Sequence, residues 1–159
     1  MQMESFRGKL FEKTDVRDIE NMNRKSKNVV TLHLIVGAIV FIIFLVTGRY
    51  MRVDFPDKDL IPQELRLLMR SRHIYIFFSA MIHLALGIYL QIRPQKWRQA
   101  LQYFGTFLLV GSSGLLLWAF IVETYQLRHF SNLSYYGIFA SLGGVGFHLI
   151  GGFGRNRER

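Results

Sequence analysis

Four stretches of this chain run for about twenty residues without a charged side chain: Val29 to Gly48, Ile74 to Ile92, Tyr103 to Val122 and Ser134 to Phe153. Crossing the hydrocarbon layer takes about 20 apolar residues at about 1.5 Å rise each. Each stretch therefore reads as a membrane-spanning helix. Short polar connectors follow the second and third, so neighbouring helices should run antiparallel. The expected fold is all-α, a four-transmembrane-helix up-down-up-down bundle over residues 29–153. Before it lies a basic segment, 1–28, in which Met3, Phe6, Leu10 and Phe11 share one helical stripe among Arg7, Lys9 and Glu12. That pattern predicts an amphipathic helix on the cytoplasmic membrane surface. Residues 154–159 form a short basic tail.

Charge decides the orientation. Lys and Arg number thirteen on the side holding both termini and the second loop, and seven on the side of the first and third loops. By the positive-inside rule both termini are cytoplasmic, in an inner membrane. Aromatics mark both boundaries: Tyr50, Tyr75, Tyr125, Tyr135 and Tyr136 on the outer side, and Tyr89, Trp97 and Tyr103 on the inner. The net charge of +9 sits at span ends, where anionic headgroups account for it and nucleic acid is not required. With no cysteine, disulfides, thiolate metal sites, iron–sulfur clusters and covalent haem attachment are all excluded.

The first loop is the longest. Asp54, Asp57 and Asp59 surround Pro56 without the alternation or glycine of a calcium loop, so they read as solvated turn chemistry. Pro62 followed by Glu64 predicts a short helix that runs into the second span.

The chemistry lies in the histidines. The phrase His-Leu-x-x-Gly occurs three times inside the spans, at His33–Gly37, His83–Gly87 and His148–Gly152. An imidazole is costly in hydrocarbon and should face the protein interior. Gly37, Gly87 and Gly144 lie one helical turn from these rings, where a helix or a flat ligand can approach. Counting residues puts His33 and His148 at equal depth, about 6–8 Å from the inner boundary, and His83 about 6–8 Å deeper. Zinc or copper shared by all three is thereby disfavoured.

Two imidazoles at one level on adjacent helices are able to hold a b-type haem, with the propionates meeting Arg24, Lys25, Lys27 or Arg155. In helix number and histidine placement this resembles the four-helix membrane b-type cytochromes, which ligate haem with span histidines and exchange electrons with quinone. The resemblance implies His33 and His148 as haem-iron ligands, with His83 a further candidate. The alternative is structural: imidazoles that bond across helices and glycines that let backbones close.

Other residues are read as supports. Arg72-His73 and Arg128-His129 look like interfacial anchors, and Glu123 should pair with Arg128 or another outer-side cation. Gly143, Gly144 and Gly146 sit mid-span with no preceding strand, so they serve close packing and not phosphate binding. Ser112-Ser113 reads as a helix-interface device. No hydrolase, kinase or phosphate-loop motif appears. The leading reading is an accessory or assembly subunit that acts by helix contact on a protein partner or a second copy, surrounded by membrane lipid. The second is the haem electron carrier. A proton-linked transporter is disfavoured because spans one to three carry no mid-depth acid.

Overall fold

The computed structural model describes the backbone of residues 2–53, 61–123 and 132–153, with side chains from residue 24 onward within those ranges. Four helices account for nearly all of it: α1 (Gln2–Val53), α2 (Gln63–Tyr89), α3 (Lys96–Glu123) and α4 (Asn132–Gly152). Among the described residues there is no strand. All four helices are long and apolar enough to cross a membrane. The amphipathic reading of residues 1–28 falls largely on side chains outside those described. So do the aspartates of the first loop, Arg128, His129 and the basic tail.

Each helix exceeds its charge-free run because the backbone ladder does not end where charge begins. Pro62 stands at the N-cap of α2, with Glu64 in the first turn, so the short helix expected there is the first part of α2. That helix stops at Tyr89, where Leu90 turns extended, three residues short of the predicted span.

The helices pack as two pairs, α1 on α2 and α3 on α4, joined mainly through α2 and α3. The repeated phrase explains the first pair. A Cβ built at Gly37 would lie 2.9 Å from Leu84 Cγ, and one at Gly87 only 2.5 Å from Leu34 Cδ2. Leu34 and Gly37 belong to one copy of His-Leu-x-x-Gly and Leu84 and Gly87 to the other. The leucine of each copy fills the notch of its counterpart. Farther along, Gly48 meets His73, which stacks on Phe44 at 4.2 Å and is bonded to Thr47 Oγ1 at 3.1 Å.

The second pair closes still more tightly. A Cβ at Gly105 would come within 2.8 Å of the Gly144 carbonyl oxygen, and one at Gly144 within 2.7 Å of Leu109 Cγ. Gly137 receives Leu116, and Gly151 receives Gln102. Small residues let the backbones approach, and dispersion then holds them.

Burial is inverted relative to a water-soluble bundle. Among the described residues, eleven polar or charged side chains are buried against nine apolar ones, and twenty-eight large apolar side chains are exposed. Such a surface would aggregate in water and suits a hydrocarbon solvent. Exposed Tyr89 and Trp97 gather at the end nearest Arg24, and exposed Tyr50, Tyr135 and Tyr136 at the opposite end. Between them lies an apolar cluster of Val40, Ile76, Ala80 and Phe120.

Candidate functional site

A single hydrogen-bonded chain of six side chains runs through the interior and joins all four helices. It begins on α4, where His148 Nε2 lies 3.2 Å from Thr106 Oγ1. The same hydroxyl is 3.1 Å from His33 Nε2. His33 Nδ1 and His83 Nδ1 share one hydrogen across 2.8 Å. On the other side of its ring, His83 Nε2 is 3.0 Å from Ser113 Oγ, and Ser113 is 2.7 Å from Ser79 Oγ. His33 and His83 are fully buried and His148 is 5% exposed. Burial is affordable here because almost every polar atom has a partner; His148 Nδ1 is the exception.

The local sequence explains why these groups meet. His33, Gly37 and Val40 follow one face of α1, and all three are buried. Ser79, His83 and Gly87 do the same on α2, and Gln102, Thr106, Leu109 and Ser113 on α3. The face of α3 contributes only hydroxyl and amide groups, which is why no search for ionisable residues finds it. Thr106 and Gln102 went unnoticed in the sequence; their signal was polar residues four and seven positions apart (102, 106 and 113), on one helical face of an otherwise apolar run. Ser113 sits at the α2–α3 interface, in the position expected of a packing device.

This geometry bears on two sequence expectations. Residue counting set His83 about 6–8 Å deeper than His33, too far for one small ion shared with His148. The two copies of the phrase are indeed staggered by about five residues, or about 7 Å of rise, but side-chain reach closes the gap, and the ring centroids are 4.9 Å apart. Backbone depth alone does not measure the distance between rings. The glycines expected to admit a flat ligand are filled: Gly37 by Leu84, Gly87 by Leu34 and Gly144 by Leu109.

The haem reading is testable on these contacts. His33 and His148 lie with ring centroids 5.5 Å apart, but their Nε2 atoms converge on the hydroxyl of Thr106, which stands where iron would have to sit. His33 Nδ1 is taken by His83. The residues in this arrangement do not fit a haem between them. Nor is a shared small ion built: among the described residues no group of three or more His, Cys, Asp or Glu is placed to hold a metal.

Ties at the two ends frame the chain. At the end near Arg24, Gln102 accepts from the Arg93 N–H at 3.0 Å and donates to the Gln91 carbonyl at 3.0 Å. Arg93 also donates from Nη2 to the Gly152 carbonyl at 3.1 Å, which places a cation at the negative end of α4. His148, Gln102 and Arg93 line a cleft of about 260 Å³ there, together with Leu86 and Val145.

Arg72 lies toward the opposite end. It was expected to be an interfacial anchor, but it is 2% exposed and donates to the main-chain carbonyl of Glu123. The Glu123 carboxylate in turn accepts from Leu133 N at 2.9 Å, Ser134 N at 3.4 Å and Ser134 Oγ at 3.0 Å. It thereby caps α4, where negative charge is favoured. Glu123 therefore has a cation, Arg72, beside its main-chain carbonyl.

Comparison with protein families, curated proteins and solved structures finds no match for this chain. The fold and its buried chain thus rest on their own geometry. What they establish is a four-helix protein apolar enough to be an integral membrane protein.

Proposed function

We propose that this protein works by contact, as an accessory or assembly subunit of a larger membrane complex, with the outer face of α3 as its docking surface. The four spans would run up-down-up-down with both termini in the cytoplasm, as the distribution of Lys and Arg favours. One observation supports the contact reading. Along the exposed stripe of α3 stand Phe107, Gly111, Gly114 and Trp118, spaced four, three and four apart, the interval of a helix-packing seam.

A Cβ at Gly111 or Gly114 would meet nothing within 4 Å, although glycine costs a helix interior about 1 kcal/mol relative to alanine. The glycines at the α1–α2 and α3–α4 contacts recover that cost through close packing. Among the described residues nothing packs on Gly111 or Gly114. Between a 71% exposed Phe107 and a 57% exposed Trp118, they form a shallow notch with aromatic rims, into which a partner's transmembrane helix fits.

The absence of cysteine makes the test clean. Single cysteines at Gly111 and Gly114, alkylated with a benzophenone maleimide and photolysed in native membranes, should each give a cross-linked product whose mass is this chain plus a different protein. A cysteine at Leu142, exposed on α4, should give none. Equal yields from all three sites would refute the docking face. A product of twice the chain's own mass would replace the partner with a second copy.

A further inference from the structure

The cleft at the end near Arg24 lies where α2 and α4 part. Leu86 and Tyr89 of α2 form one wall, Val145, His148 and Leu149 of α4 the other, and Gln102 of α3 stands between them. The Gln102 amide is engaged at both its oxygen and its nitrogen. His148 is different. It is 5% exposed, and its Nδ1 is a buried ring nitrogen without a partner.

The bonds around His148 decide what that nitrogen requires. Thr106 donates its one hydroxyl hydrogen to the Gln102 carbonyl at 3.0 Å. The ring nitrogens that approach the Thr106 oxygen must then donate to it, His148 Nε2 at 3.2 Å among them. In a neutral imidazole the nitrogen opposite the N–H is bare and accepts. His148 Nδ1 therefore calls for a donor. The Nε2–Cδ2 edge of the ring is turned to Thr106 and Gly105 on α3, so the Nδ1 edge faces away from that helix.

Charge sets a second requirement. Arg93 lines the same cleft and donates to the Gly152 carbonyl, but a helix end offers only about half a unit of negative charge in return. Among the described side chains the carboxylates are Glu64 and Glu123, both at the opposite end of the bundle. The cleft thus favours an anion. Size sets a third. A volume of about 260 Å³ is below the about 300–1,000 Å³ of sites that enclose a whole small molecule. Such a cleft takes a headgroup and leaves the apolar remainder of the ligand outside.

We infer that this cleft binds an anionic phospholipid with a hydroxyl in its headgroup, of the phosphatidylglycerol type, with its phosphate on Arg93 and its hydroxyl donating to His148 Nδ1. Arg93 is anchored on Gly152, four residues or about 6 Å of rise beyond His148, a span of the order of the glycerol that separates phosphate from hydroxyl. Tyr89 and Leu149 at the rim are exposed and change rotamer readily as the headgroup enters. The acyl chains continue over Leu149 into the bilayer. An ethanolamine headgroup also brings donors, but it sets an ammonium beside Arg93 and cancels the net charge of the phosphate.

The test uses full-length protein in a neutral detergent, labelled with 15N-histidine and titrated with short-chain lipids. Phosphatidylmethanol carries the same phosphate charge without a hydroxyl, and phosphatidylcholine is zwitterionic and has no donor. Phosphatidylglycerol should bind about tenfold more tightly than phosphatidylmethanol, and phosphatidylmethanol more tightly than phosphatidylcholine. At saturation phosphatidylglycerol should shift the His148 Nδ1 resonance and leave those of His33 and His83 in place. Arg93→Gln should weaken both anionic lipids about tenfold and leave phosphatidylcholine unchanged.

Equal affinity for the three lipids would overturn the site, as would a His148 Nδ1 resonance that stays in place at saturation. Neither reading requires a variant. Soluble glycerol phosphate that gives the same shift at the same concentration would also overturn the lipid assignment, and would make the occupant a free phosphate ester. The cross-linking at Gly111 depends on none of these outcomes, so the two proposals fail separately.

Discussion

Replacing Gly105 with alanine should destabilise this protein, and the same change at Gly111, farther along the same helix, should not. At Gly105 the added methyl would lie 2.8 Å from the Gly144 carbonyl oxygen, 2.9 Å from His148 Cδ2 and 3.2 Å from His148 Nε2. The first of these is main chain, so no rotamer change relieves it, and α4 must move away from α3. Overpacking of this kind costs about 1–3 kcal/mol. At Gly111 nothing lies within 4 Å, and alanine gains up to about 1 kcal/mol of helix propensity. Both variants share that gain, so they should differ by the overpacking cost, about 2 kcal/mol, or roughly 4–8 °C in midpoint for a chain of this length. Thermal unfolding in a mild detergent, followed by tryptophan fluorescence, measures the difference. Equal midpoints, or Gly105→Ala as the more stable variant, would refute the close backbone contact between α3 and α4.

Arg72→Met should cost about 3 kcal/mol, because it leaves the buried main-chain carbonyl of Glu123 without its donor and removes the cation that interacts with the nearby carboxylate. Adding Glu123→Gln should recover more than half; a double variant no better than the single one in a denaturing-detergent titration would show that the two do not act together. Protein purified from haem-replete cells should show no Soret band before or after dithionite, since Thr106 occupies the space between His33 and His148. A band that disappears in both His33→Ala and His148→Ala would overturn that conclusion.

The spans were legible because hydrocarbon tolerates so few residue types: a charge-free run of twenty residues has little other use. The inward aspect of His33, His83 and His148 was legible for the same reason. Their partners were not. Thr106 and Ser113 are unremarkable in an apolar helix, and only the register of α3 against α1 and α2 makes them bridges. Arg72 was misread because it stands just before the apolar run at Ile74, where a charge normally marks the edge. Its burial depends on Glu123, fifty-one positions away.

The repeated phrase shows where sequence reading stopped short. The copies of His-Leu-x-x-Gly suggested a pair of ligand positions, His33 and His148, with His83 deeper and glycine making room for a cofactor. Two copies on helices that meet in reverse order have a simpler consequence: each leucine must fall beside the other copy's glycine, and each histidine must turn toward the other histidine. The third copy lacks such a counterpart. Its Leu149 is exposed, its Gly152 faces open space, and its histidine reaches the pair only through a hydroxyl. The same five residues thus build a self-complementary contact where two helices present them to each other, and only a hydrogen-bonded side arm where no counterpart copy faces them.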